Sequence, residues 1–191
     1  MRSDTLRRRG FLQIAASAAS AAAISCGSRG SPWRVFTAEE GETANAICDR
    51  IIPADQDPGA AAAGAVNYID RQLDGPFRKY RRVYRDGLLG IGQASLAHFG
   101  KRFAALAADE RDRLLAAIDA GNPEAKLFFD LIRDHTLQSF YGDPRHGGNR
   151  EYASWLMLGV PPAPVRGRMQ YDLTGEGLAS RKRRSPWRSN A

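Results

Sequence analysis

Asn122-Pro123-Glu124-Ala125-Lys126-Leu127-Phe128-Phe129-Asp130-Leu131-Ile132-Arg133-Asp134-His135-Thr136-Leu137-Gln138-Ser139-Phe140 decides the fold class of this chain. It opens with a capping residue and then proline at the first helical position, where the missing N–H costs nothing and φ is already set. Leu127, Phe128, Leu131, Ile132 and His135 then recur at three- and four-residue steps, and Ser139-Phe140 follows one turn later. That spacing predicts a helix with one apolar face.

The same pattern repeats upstream. Asp109 is expected to cap a helix through Leu114, Leu115 and Ile118 that ends at Gly121. A longer helix is predicted from Arg78 to Phe99, with Tyr80, Tyr84, Leu88, Ile91, Ser95 and Phe99 at helical steps. Gly87, Gly90 and Gly92 lie inside it. Each costs up to ~1 kcal/mol relative to alanine, which predicts close approach by another helix. Ala60 to Leu73 form a further helix, with Ala62, Val66, Ile69 and Leu73 on one side. Thr37-Ala38-Glu39-Glu40 is a capping box. The helix it opens carries Ala44, Ile47, Cys48 and Ile51 on one face and must stop before Pro53.

Two loops interrupt the helices. Pro53-Ala54-Asp55-Gln56-Asp57-Pro58-Gly59 is rich in turn formers. Phe140-Tyr141-Gly142-Asp143-Pro144-Arg145-His146-Gly147-Gly148-Asn149-Arg150 supplies Asp-Pro and Gly-Gly-Asn, with positions suited to positive φ. Tyr152, Trp155, Leu156 and Leu158 then predict a short last helix, stopped by Gly159-Val160-Pro161-Pro162. There is no period-2 strand pattern and no repeat. The expected fold is all-α, a compact bundle of about five to six helices with long ordered loops. It is assigned to residues 37–165, preceded by a linker over 26–36 and followed by a basic tail over 166–191 with few apolar anchors.

The first 25 residues read differently. Arg7-Arg8-Arg9-Gly10-Phe11-Leu12-Gln13 is an arginine pair followed at the right offset by Phe-Leu, and an alanine-rich apolar run extends from Ile14 to Ile24. The run is too short for a membrane span, which needs about 20 apolar residues. A basic start, apolar middle and small-residue end form a cleaved signal. Arg8, Arg9, Phe11 and Leu12 give it the twin-arginine pattern, which is read by the translocase that moves folded proteins. Two endings stand open: lipidation of Cys26 after Ala23-Ile24-Ser25, or plain cleavage within Ala15 to Ala23.

The net charge of +7 is carried by the ends. Arg2, Arg7, Arg8 and Arg9 against Asp4 make the signal region +3, and seven basic residues against Asp172 and Glu176 make the tail +5. The body is left at −1, without the basic stripe a nucleic-acid binder needs, so no nucleic-acid partner is expected. Of the two cysteines, Cys48 sits beside Ile47 on an apolar face and is expected to be buried and inert. An intermolecular disulfide is the alternative.

No active site assembles from the residues. His98, His135 and His146 are far apart and match no metal-ligand spacing. His135 is expected in the core, and His146 shapes its loop by a hydrogen bond. Asp55 and Asp57 beside Pro58-Gly59 form turns rather than a carboxylate pair. There is no nucleophile elbow, haem-attachment motif or phosphate-binding glycine motif.

Taken in order, Ile51-Ile52-Pro53-Ala54-Asp55, Pro58-Gly59-Ala60, Phe128-Phe129, Thr136, Phe140-Tyr141-Gly142-Asp143-Pro144, Gly147-Gly148-Asn149, Trp155 and Gly159 resemble the gluconate 2-dehydrogenase subunit 3 family. The resemblance covers about Thr37 to Pro161. It implies a non-catalytic small subunit, with no cofactor bound by this chain. It implies a large partner of the glucose–methanol–choline oxidoreductase type that holds FAD, and in many such complexes a multihaem cytochrome c subunit with haem c. It implies a periplasmic location at the inner membrane, a role in maturation of the large subunit, and its escort through the twin-arginine translocase. The expected partner interface is Pro53, Asp55, Pro58 and Gly59, then Tyr141, Asp143, Pro144, His146, Gly147, Gly148 and Asn149, with Trp155 as an aromatic anchor. The rival reading is a free-standing exported helical lipoprotein with another periplasmic partner.

Overall fold

The structure, a computed structural model, describes residues 31–160. The signal residues Arg8, Arg9, Phe11 and Leu12, the cysteine Cys26 and the basic tail lie outside the described residues. Among the described residues there are six α-helices and no strand: α1 (Ala38–Ile51), α2 (Ala65–Asp74), α3 (Arg81–Phe99), α4 (Ala108–Asp119), α5 (Pro123–Tyr141) and α6 (Ala153–Met157). The expected all-α bundle is what the chain forms. No described helix is long and apolar enough to cross a membrane.

The helix starts follow their capping chemistry. Thr37 Oγ1 accepts from the Glu40 N–H at 3.2 Å, and Glu40 accepts from the Thr37 N–H at 2.8 Å, which completes the predicted box. Asn122 Oδ1 accepts from the Ala125 N–H at 2.8 Å, with Pro123 next in line. Asp109 is not the cap expected of it: α4 begins one residue earlier, and Glu110 takes the Ala107 N–H at 2.8 Å. The helix expected from Ala60 also starts late. Gly64 takes φ 77°, a left-handed conformation, and α2 begins only at Ala65. The Ala60–Ala63 stretch makes a tight turn instead, tied back by the Ala60 N–H to Ile52 O at 2.9 Å. Arg78–Tyr80 winds as a separate 3₁₀ turn ahead of α3.

Helix α5 is the centre, packing against α1, α2, α3, α4 and α6. It buries Phe128, Ile132, His135, Thr136, Ser139 and Phe140, whereas Leu127, expected inside, is 47% exposed. Around it, Ile47, Ile69, Leu73 and Ile91 are almost wholly buried. Each such side chain contributes about 1.5–3 kcal/mol. Exposed ion pairs such as Arg82–Asp86 contribute at most about 1 kcal/mol each, so the apolar core dominates stability. The bidentate Arg50–Asp112 pair, at 2.8 and 2.9 Å, is better placed and links α1 to α4. The Arg50 guanidinium holds the Asp112 carboxyl below the usual range.

Two polar side chains of α5 find partners inside the bundle. His135, as expected, sits in the core, and its Nδ1 shares a 2.8 Å hydrogen bond with the Tyr84 hydroxyl. Phe77 stacks on the imidazole with ring centres 4.2 Å apart. Burial pushes the His135 pKa down, so the folded protein holds the ring neutral. Cys48 is fully buried against Thr136 Oγ1 at 3.3 Å, and burial pushes its thiol up to about 12. A thiol that rarely ionises and has no access to solvent is inert, which leaves no route to an intermolecular disulfide.

Of the three glycines in α3, only Gly87 serves close approach. A Cβ there would overlap the Phe128 ring, whereas one at Gly90 or Gly92 meets nothing within 4 Å. Gly87→Ala is therefore expected to destabilise by about 1–3 kcal/mol through overpacking. Gly92→Ala is expected to stabilise by about 0.5–1 kcal/mol through helix propensity. Urea unfolding of the two variants checks the difference in sign.

His135 gives a second expectation. Its folded pKa lies below the unfolded value of about 6.5, so the unfolded chain takes the proton first. Stability should be full above that value and fall as pH drops through the folded one. His135→Gln should flatten the dependence in this window, read by denaturant midpoints between neutral and mildly acid pH.

Candidate functional site

The 142–152 loop is built around one residue. Asn149 is fully buried at φ 44°, in the left-handed region. Its Nδ2 donates to Gly142 O at 2.8 Å, and its Oδ1 accepts from the Ser154 N–H at 3.0 Å. The Ser154 hydroxyl donates to Phe140 O. One side chain thus ties the end of α5, the loop and α6 together. The next residue reaches outward: the Arg150 N–H donates to Ala63 O at 2.9 Å, which brings this loop against the turn that leads into α2. That bond joins the second predicted loop to the Ala60–Ala63 turn, which follows the first.

The loop is strained. Glu151 and Tyr152 also have positive φ, 56° and 60°, which the sequence did not announce. Such residues cost of order 1–3 kcal/mol each and persist only where surrounding contacts fix them. The shaping role expected of His146 falls elsewhere. His146 is exposed, while Asp143 Oδ1 accepts from the Arg145 N–H at 3.0 Å and Oδ2 pairs with the Arg145 guanidinium at 2.6 Å. That pairing holds the Asp143 carboxyl below its ordinary range.

The expected interface residues divide into two groups. Pro53, Asp55, Pro58, Tyr141 and His146 are exposed, and Asp143, Pro144, Gly147 and Trp155 are half-buried. Gly59, Gly148 and Asn149 lie inside and shape the loops. Asp55 makes the expected turn, accepting from the Asp57 N–H at 2.9 Å. Trp155 Nε1 donates to Tyr141 O at 3.0 Å, and the Tyr152 ring lies 5.8 Å from the indole. Leu137, Tyr141, Met157 and Leu158 are all at least 39% exposed, so this end of the molecule presents apolar surface.

A second feature went unnoticed in the sequence. Residues 31–36, read as linker, are docked on the bundle. Phe36 is buried with its ring 6.0 Å from Tyr84, and the Trp33 indole covers Gly41. The fastener is Asp70, 3% exposed: its carboxylate accepts from the backbone N–H groups of Arg34, Val35 and Phe36 at 2.7, 2.8 and 3.1 Å. The available signal was a lone acid on the apolar face of α2, between Ile69 and Leu73.

Between this segment, α2 and the 142–152 loop lies an open cleft of about 510 Å³. Arg34, Arg71, Arg150, Asp70 and Glu151 supply its charge, with Trp33, Asn67 and the Gly147-Gly148 backbone between them. Among the described residues no three His, Cys, Asp or Glu side chains gather as a metal site. The hydroxyls of Ser95, Ser154 and Thr136 are engaged with backbone carbonyls, and His135 faces Tyr84. None of these is a nucleophile set beside a base.

Together these features define a class: a small all-α domain with an aromatic-edged apolar end and a charged cleft. Its family follows from a match to the model for gluconate 2-dehydrogenase subunit 3, which spans residues 38–162. The chain belongs to the gluconate 2-dehydrogenase subunit 3 family, whose members are subunits of dehydrogenase complexes. No curated protein and no solved structure matches the chain.

Asp70 offers a direct test of how the cleft is held. Asp70→Ala leaves three backbone donors without an acceptor and is expected to cost about 2–4 kcal/mol. Amide hydrogen exchange at Arg34 to Phe36 should accelerate far more than exchange in α5.

Proposed function

We propose that this chain is the non-catalytic small subunit of a periplasmic, membrane-associated, FAD-dependent sugar or alcohol dehydrogenase complex. It binds the flavoprotein large subunit, aids its maturation and carries it through the twin-arginine translocase as a folded pair. The observation that carries this reading is family membership over residues 38–162. FAD belongs to the large subunit in this reading, and haem c to a cytochrome c subunit that takes the electrons onward. The apolar end supports a protein partner. Exposed aromatic and aliphatic side chains around Tyr141 and Trp155 are of the kind that anchor interfaces. The two loops from Pro53 to Gly59 and Tyr141 to Asn149 flank the contact. The signal at Arg8 and Arg9 supplies the route, since a chain with no cofactor of its own has need of folded export chiefly on behalf of a partner.

Two measurements test the reading. Affinity purification of the tagged chain from membranes is expected to bring down a flavin-containing large subunit. Recovery of the chain without any flavoprotein would reject the reading in favour of a free-standing lipoprotein. Replacing Arg8→Lys and Arg9→Lys together should leave both chains in the cytoplasm on fractionation. Continued export of the flavoprotein would remove the escort role.

A further inference from the structure

We propose that the cleft between residues 31–36, α2 and the 142–152 loop seats an acidic segment of the large subunit, whose carboxylates are held by Arg71 and Arg150. This rests on the complex-forming role above and specifies where on this chain the partner's acidic stretch lies. Both guanidinium groups lie close to glycines. The Arg71 side chain lies along Gly147, where a Cβ would stand 2.9 to 3.1 Å from its Cδ, Nε and Nη1. The Arg150 guanidinium lies over Gly64, 3.5 Å from the place a Cβ would occupy. Neither arginine has a carboxylate within 4.0 Å among the described residues. Arg34 on the rim reaches Asp74 only at 3.9 Å. The cleft's own acids make no ion pair with them: the Asp70 oxygens accept from three backbone N–H groups, and Glu151 is exposed in a strained turn, which leaves three arginines against two acids.

Guanidinium forks pair with carboxylates in a bidentate manner, and both are exposed here with no carboxylate of their own. The chain's own ends are poor occupants, because the residues from Arg166 onward carry +5 and the stretch just before Ser31 contains Arg29. A small free acid would remain solvated on the open side. A partner segment does better, because the neighbouring apolar end begins at Tyr152, next to Glu151. Docking there raises the effective concentration of any acidic stretch beside it.

The test uses the complex purified with its large subunit. In an Arg71→Lys/Arg150→Lys variant, a carbodiimide joins a lysine amine to a touching carboxylate with loss of water, and mass spectrometry locates the amide. The expected product links position 71 or 150 to an Asp or Glu of the large subunit. Arg71→Glu/Arg150→Glu should weaken binding of the large subunit at least tenfold. The same charge change outside the cleft, Arg78→Glu/Arg85→Glu, should alter it less than twofold. If the reversal variant fails to fold by circular dichroism, the cross-link decides. Links confined to this chain's own carboxylates in an intact complex, or equal binding by the two reversal variants, would overturn the seat alone. Phosphatidylglycerol vesicles that capture the wild-type chain but not the cleft reversal would also overturn it, assigning the arginines to lipid phosphate. If the wild-type chain binds no flavoprotein, the accessory-subunit reading falls and the seat with it.

Discussion

Helix α5 buries a face that five other helices share in covering, and that requirement organises the molecule. It carries Phe128, Ile132 and Phe140 inward together with His135, Thr136 and Ser139, so its surroundings have to satisfy polar groups as well as exclude water. Tyr84 from α3 answers His135, and the Ile132 carbonyl answers Thr136. Ser139 alone is left without a partner, under Gly148. The closeness of α3 depends on Gly87, since any side chain there would displace Phe128 from the centre. The final turn of α5 meets the short α6 through Ser154 and Trp155. The 142–152 loop covers it, and Asn149 is the residue that fastens the cover down.

How much of this could be read beforehand depends on where the determining force acts. Helix α1 and helix α5 were legible, because a cap and a 3.6-residue period are local signals and both sit intact in the sequence. The start of α2 was not. Four alanines favour helix by propensity, but the chain must turn there to meet Ile52 and α5, and Gly64 makes the turn. Leu127 followed the period and still lies outside, because neighbours on three sides set the rotation of α5. Asp70 was hidden for a related reason. A carboxylate on an apolar face is explained only by three N–H groups about 35 positions away in the chain, and no spacing rule connects them. The positive φ values of Glu151 and Tyr152 are likewise imposed by what Asn149 and Arg150 hold. The exposed half of the expected interface was legible as loop chemistry. The cleft was not, since it is assembled from three separate segments.

In the core, the Ser95, Ser154 and Thr136 hydroxyls are engaged with backbone carbonyls, His135 is held neutral, and the Cys48 thiol is held protonated by burial. The apolar end exposes aromatic and aliphatic side chains, and the cleft beside it is lined by guanidinium groups. The absence of a Cβ at Gly147 and Gly64 leaves room for the Arg71 and Arg150 side chains, and the Arg150 N–H to Ala63 O bond fixes the backbone beside them.

The grip of Asp70 on residues 34–36 fixes where the chain enters the domain. Pro32 and Trp33 lie on the cleft wall, so the chain arrives at the rim of the cleft and not at the far side of the bundle. Six residue-to-residue steps lead from Cys26 to Pro32, and a chain spans at most about 3.6 Å per step. If Cys26 bears a lipid, the leash reaches at most about 20 Å. The cleft could then never turn far from the bilayer surface. Whatever occupies it would then be held near the head groups.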